Sequence, residues 1–125
     1  MKFAQRVFLA AGVLGVVVLT PWFFLESFWG RQFPPPVTHP EFFYGFTGAV
    51  LAWQLVYLLI SRDPARYRPM MPLAILAKAS FGIAVFVLLA LGRVPALPAL
   101  GVTIDLVFAV LFAYAYVAMG STSDP

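Results

Sequence analysis

Within the apolar runs, Gln54 and Tyr57 in one, Lys78 in the next and Tyr114 in the last are polar side chains at a similar depth. A polar group inside a bilayer is costly and needs a partner or a task. Lys78 lies eight residues beyond Met70, which at 1.5 Å per residue is about 12 Å in from that end. Gln54 lies six residues before Ile60 and Tyr114 five before Met119, or about 9 Å and about 8 Å from their ends. These ends fall on one side of the membrane if the runs alternate in direction. Lys78, Gln54, Tyr57 and Tyr114 then form one polar layer, with Trp53 near enough to offer a ring face to the ammonium. Such a layer suits recognition of the polar head of a lipid, a quinone or another amphiphile. The competing reading for Lys78 is snorkelling, in which its long stem lifts the ammonium to the nearer interface.

A second set gathers toward the opposite ends of the runs: Glu26, His39, Glu41, Arg93 and Asp105, with Thr103 and Tyr44 nearby. Asp105 sits six residues into the last run, about 9 Å deep. Across a hydrocarbon core of about 30 Å it falls about 9 Å short of Lys78. Arg93 is therefore its expected partner, rather than Lys78. Rim ion pairs and helix caps would account for these residues. As chemistry, a histidine beside two acids could relay protons. A single histidine makes a strong metal site a poor reading, and no metal or cofactor is expected. The chain contains no phosphate-binding loop, dinucleotide fingerprint, nucleophile elbow or HExxH. Gly12 and Gly15, three apart in an apolar run, mark packing.

What must position these residues is four apolar runs. The 125 residues are 62% hydrophobic and 10% charged, with a mean hydropathy of +0.93. Soluble domains carry about 25% charge, so this chain lacks the polar surface to face water. The runs predict helices over about 6–28, 42–60, 70–91 and 99–119. Each is about 20 residues long and spans about 30 Å. Their connections are short, which makes consecutive helices antiparallel neighbours. The expectation is one all-α integral membrane domain over 1–125, a four-helix bundle running up-down-up-down.

The amino end imitates a signal peptide, with Lys2 and Arg6 before an uncharged core. No small-x-small cleavage site follows, so this stretch is read as an uncleaved first helix, bent or ended by Pro21. The first loop carries a proline run at 34–36 that favours polyproline II, flanked by interfacial aromatics. It reads as a surface loop, or as a lid gathering Glu26, Arg31, His39 and Glu41. In the second helix Gly45 with Ala49, and Gly48 with Ala52, offer small faces for close helix approach, as do Ala109 and Ala113 in the fourth. The polar tail after Met119 is expected to fray.

Charge decides orientation. Lys2, Arg6, Arg62, Arg66 and Arg68 share one side; Arg31 and Arg93 share the other. Positive residues favour the cytoplasm, which places both termini and the 61–69 loop inside. The net charge of +3 lies at helix ends and forms no extended basic patch, against nucleic-acid binding. The absence of cysteine excludes disulfides, thiolate metal sites and a cysteine nucleophile.

The four runs, the prolyl first loop and the turn RDPARYRPMM leading into LAKASFG resemble small bacterial membrane proteins of the DoxX-like kind. That likeness implies an inner-membrane setting and, in part, association with quinone-dependent oxidoreductases. The layout is also similar to the EXPERA group of four-helix sterol isomerases and sterol-binding proteins. Those place acids in a central pocket, where this chain offers Gln54 and Lys78. Two functions are expected from these features. One is a non-enzymatic membrane protein that binds an amphiphile or serves as an accessory subunit, in contact with lipids and able to pair with a second copy. The other is an enzyme acting on a lipid or quinone through Glu26, His39 and Asp105. A transporter protomer is the weakest reading, since four helices leave little room for alternating access.

Overall fold

The computed structural model describes residues 2–25, 27–28, 31 and 38–122, and among these all regular structure is helical. Helix α1 is Lys2–Leu19, continued by a 3-10 segment Thr20–Phe24. Helix α2 is Pro40–Arg62, α3 is Met71–Ala90 and α4 is Ala96–Thr122. Among the described residues, four helices are long and apolar enough to cross a membrane. Large apolar side chains are exposed along all four, among them Val17, Leu55, Leu76 and Val110. Glu26, Trp29 and the proline run at 34–36 lie outside the described residues, so the lid expected there has no structural counterpart to report.

Pro21 sets the end of α1. Lacking an N–H, it cannot continue the i to i−4 ladder, and the chain tightens into the 3-10 turn without leaving the span, which runs Lys2–Phe24. At the other end of the chain, α4 begins at Ala96, three residues before the expected start. Pro98 does not delay it, because the first turn of a helix has no intrahelical acceptor for its N–H groups and tolerates proline there. Helix α3 closes on Gly92 at φ 72°, a left-handed position suited to glycine. Gly92 N–H donates to Leu89 O at 3.0 Å and Arg93 N–H to Leu88 O at 2.8 Å, the paired bonds of a Schellman cap. The turn that follows reverses the chain into α4.

The helices form two tight pairs, α1 with α2 and α3 with α4. Glycine permits both. A Cβ at Gly12 would meet Leu58 Cδ2 at 2.6 Å, one at Gly15 would collide with the Gln54 side chain, and one at Gly82 would meet Leu106 Cδ2 at 2.6 Å. Such close approaches bring the helices of each pair into van der Waals contact, and van der Waals contact holds them together. Gly45 and Gly48 behave otherwise: nothing lies within 4 Å of a Cβ at either. Among the described residues their small faces bring no helix close.

The pairs join through α1 and α4. Phe8 stacks on Phe112 with centroids 4.1 Å apart, and Tyr57 meets Phe112 edge-on at 5.1 Å. Around this aromatic knot, Ala4, Ala11, Ile60, Met71, Ala74 and Ala115 complete the core. Beside it the arginine loop is tied down. Arg68 donates through Nε and Nη2 to Tyr116 O at 3.2 and 2.8 Å and lies 4.0 Å over the Tyr116 ring. A charged donor on a carbonyl near the end of a helix also opposes the negative end of its dipole. Away from this knot the core thins to Val85 and Val102 between α3 and α4, and α2 touches α3 only sparingly. A seam therefore remains between α2 and α3.

Candidate functional site

Three of the expected inner-layer residues come together in that seam, joined by one residue expected elsewhere. Gln54 and Tyr57 reach it from α2, Lys78 from α3 and Asp105 from α4. Lys78 Nζ donates to Asp105 Oδ1 at 2.9 Å. The lysine side chain is 10% exposed and the aspartate 29%. Nζ also lies 5.3 Å from the Tyr57 ring centroid and 5.4 Å from that of Phe108. The ammonium is thus held in the interior between one carboxylate and two aromatic faces, and it does not snorkel. The rings that face it are Tyr57 and Phe108, in place of the expected Trp53.

The pairing of Asp105 with Lys78 corrects the expectation that Arg93 would hold it. Counted from the turn, Lys78 stands 12 residues back from Ala90 and Asp105 nine residues on from Ala96. The stagger is three residues, about 4.5 Å, which the lysine stem spans. The expected depth gap came from starting the last helix too late. Arg93 is exposed, and among the described residues its side chain has no ion-pair partner.

Tyr114 is the second correction. It is 62% exposed and meets Phe3 edge-on at 5.1 Å, away from Lys78. Its depth suits the layer but its direction does not. Phe112, Ala115 and Met119 face the core, and Tyr114, two residues past Phe112, is turned about 200° from it.

Nor does the second set assemble as one layer. His39 Nδ1 and Glu41 Oε1 are 3.3 Å apart and both well exposed at the start of α2, where a pair contributes at most about 1 kcal/mol. Glu26 lies outside the described residues. Tyr44 packs with Phe23 and Phe43, and Thr103 is exposed on α4. Among the described residues, no three of His, Asp and Glu stand close enough to hold a metal.

The cleft beside the ion pair has a volume of about 40 Å³ and is lined by Val50, Trp53, Ala77 and Phe81 as well as the four polar residues. That is room for about three waters or one small polar head. Phe81 on its wall packs against Phe46, with ring centroids 5.0 Å apart. Gln54 forms the wall against α1. Its Nε2 donates back to Val50 O at 2.9 Å, and its Oε1 is buried without a hydrogen-bond donor, lodged against Gly15. That oxygen is met by the glycine Cα–H, a weak donor. Reading the sequence missed Phe108 and Phe81 because it sought polar groups. Phe108 could have been found: it lies one turn from Asp105 on the same face of α4.

Compared with protein-family models, curated proteins and solved structures, the chain matches none. Its function is therefore argued from the site itself.

Proposed function

We propose that this chain is a multi-pass inner-membrane protein that holds the polar head of an amphiphile beside the Lys78–Asp105 pair, alone or as an accessory subunit of a larger membrane assembly. The four spans would run up-down-up-down. The excess of lysine and arginine at the amino end and the 61–69 loop favours a cytoplasmic location for both, after the positive-inside rule. The supporting observation is an ion pair within apolar spans, its lysine buried and its aspartate half-buried, that borders a cleft between helices. Charges at such depth are retained where they face an interior and do work there. A DoxX-like or EXPERA-like role belongs to the same reading, with the polar residues of this chain in the pocket. The outward small-residue face of α2 leaves room for a second copy. A proton-transferring enzyme built on Glu26, His39 and Asp105 has less support, because His39 pairs with Glu41 at the surface while Asp105 pairs with Lys78.

Two measurements test this reading. The chain has no cysteine, so Ala65→Cys places a single thiol in the arginine loop. A membrane-impermeant maleimide is expected to label it only after the cells are opened; labelling of intact spheroplasts would reverse the orientation. For the site, Ala77→Leu fills the cleft wall. Native mass spectrometry from mild detergent is expected to show one retained amphiphile per chain in the wild type and loss of that adduct in Ala77→Leu. Equal retention in both, or none in either, would remove the cleft from the reading.

A further inference from the structure

The proposed cleft has a chemistry that narrows the head group, an inference that rests on the amphiphile-binding reading. The lysine is already engaged. Its ammonium gives one N–H to Asp105 Oδ1 and faces the rings of Tyr57 and Phe108, and it is the less exposed member of the pair. The aspartate is the half-open member. Oδ1 accepts from Lys78, whereas among the described residues no hydrogen bond reaches Oδ2, and the side chain borders the cleft. Among the polar atoms at the cleft, Asp105 Oδ2 is thus an acceptor still open to a donor, within a pair whose net charge is zero.

We infer that the site selects an uncharged single-chain amphiphile with a hydroxyl head, which donates its O–H to Asp105 Oδ2. An anionic head, carboxylate or phosphate, would set a second negative charge beside the carboxylate with one ammonium between them, in surroundings where like charges repel strongly. A cationic head would compete with Lys78 for the same carboxylate and leave one positive charge uncompensated. An ester or ketone head brings acceptors only and leaves Asp105 Oδ2 without a donor. A hydroxyl supplies the missing donor without adding charge. The volume agrees: about 40 Å³ admits a hydroxymethyl group but no bulky head, so the alkyl chain must lie outside, along the exposed apolar surface.

Trp53 lines the cleft and can report on occupancy. In a Trp22→Phe/Trp29→Phe background it is the sole tryptophan, and bromine in a bound alkyl chain quenches it. Three probes of equal chain length are titrated into the protein in detergent: a brominated alcohol, the brominated fatty acid and its methyl ester. The alcohol is expected to quench at least tenfold more tightly than either of the others. In a Lys78→Met/Asp105→Leu variant, which removes both charges and leaves neither stranded, that preference is expected to vanish while the ester binds as before. Asp105→Asn keeps a carbonyl acceptor and is expected to retain part of the preference for the alcohol if it folds. Acid or ester binding as tightly as the alcohol in the wild type overturns the head-group assignment and leaves the cleft as a site. If none of the three quenches more in the wild type than in Ala77→Leu, the amphiphile-binding reading itself fails.

Discussion

Lys78→Met is expected to destabilise the folded protein by about 3–5 kcal/mol, the usual cost of removing one partner from a buried ion pair. The stem is kept, so the loss comes from charge rather than from a cavity. At 2.9 Å the attraction is about 6 kcal/mol for an effective dielectric constant of about 20. Against it stands the desolvation of two ions, several kcal/mol each. The pair as a whole therefore adds little net stability, while each half depends on the other. Asp105→Leu should cost a similar amount by stranding Lys78 between two aromatic rings with no carboxylate. The double variant Lys78→Met/Asp105→Leu should recover to within about 1–2 kcal/mol of the wild type, because both desolvation penalties disappear together. Unfolding in mixed micelles with increasing dodecyl sulfate measures all four proteins, and the cycle isolates the coupling. A Lys78→Met cost below about 1 kcal/mol, or a double variant no more stable than the singles, would show that the two charges do not depend on one another.

That the two residues meet was not legible from the chain, although each was singled out, and the reason is geometric. The length of an apolar run reports that a helix exists, and counting residues reports depth. Neither reports which way a side chain points when the helix is apolar all round. Tyr114 and Lys78 share a depth but not a direction. Depth itself depends on where a helix starts, and the turn-like sequence Pro95 to Pro98 hid three residues of α4. Short loops implied that every consecutive pair of helices would pack closely. Gly12, Gly15 and Gly82 allow this for α1 with α2 and for α3 with α4. Between α2 and α3 stand Trp53, Tyr57 and Phe81, too large for the same approach, and the seam that results is where the cleft lies. The small residues at Gly45 and Gly48 were recognisable as a packing face, yet nothing in the sequence says that the face looks outward.

Gly15 connects this packing to the proposed site, and Gly15→Ala should expose the link. Elsewhere in a helix the change is favourable by up to about 1 kcal/mol, since alanine has the higher helix propensity. Gly48→Ala, with nothing within 4 Å of the new methyl, should show that sign or no effect. At Gly15 the methyl would occupy the place of the Gln54 amide. Gln54 is 2% exposed and is fixed by its bond to Val50 O, so it can yield only by giving up that bond or by forcing α1 and α2 apart. Overpacking of this kind costs about 1–3 kcal/mol, and Gly15→Leu should lie at or beyond the upper end. Gln54→Ala in the same chain should restore most of the loss by vacating the space, a non-additivity expected only for residues in contact. The direction in which Gln54 can move is toward the cleft it lines. Gly15→Ala should therefore also weaken alcohol-probe quenching of Trp53, although residue 15 lies on the far side of α2 from the seam. A Gly15→Ala protein as stable as Gly48→Ala would mean that Gln54 is not wedged between helices, and unchanged quenching in a destabilised Gly15→Ala would mean that packing of α1 on α2 does not set the width of the cleft.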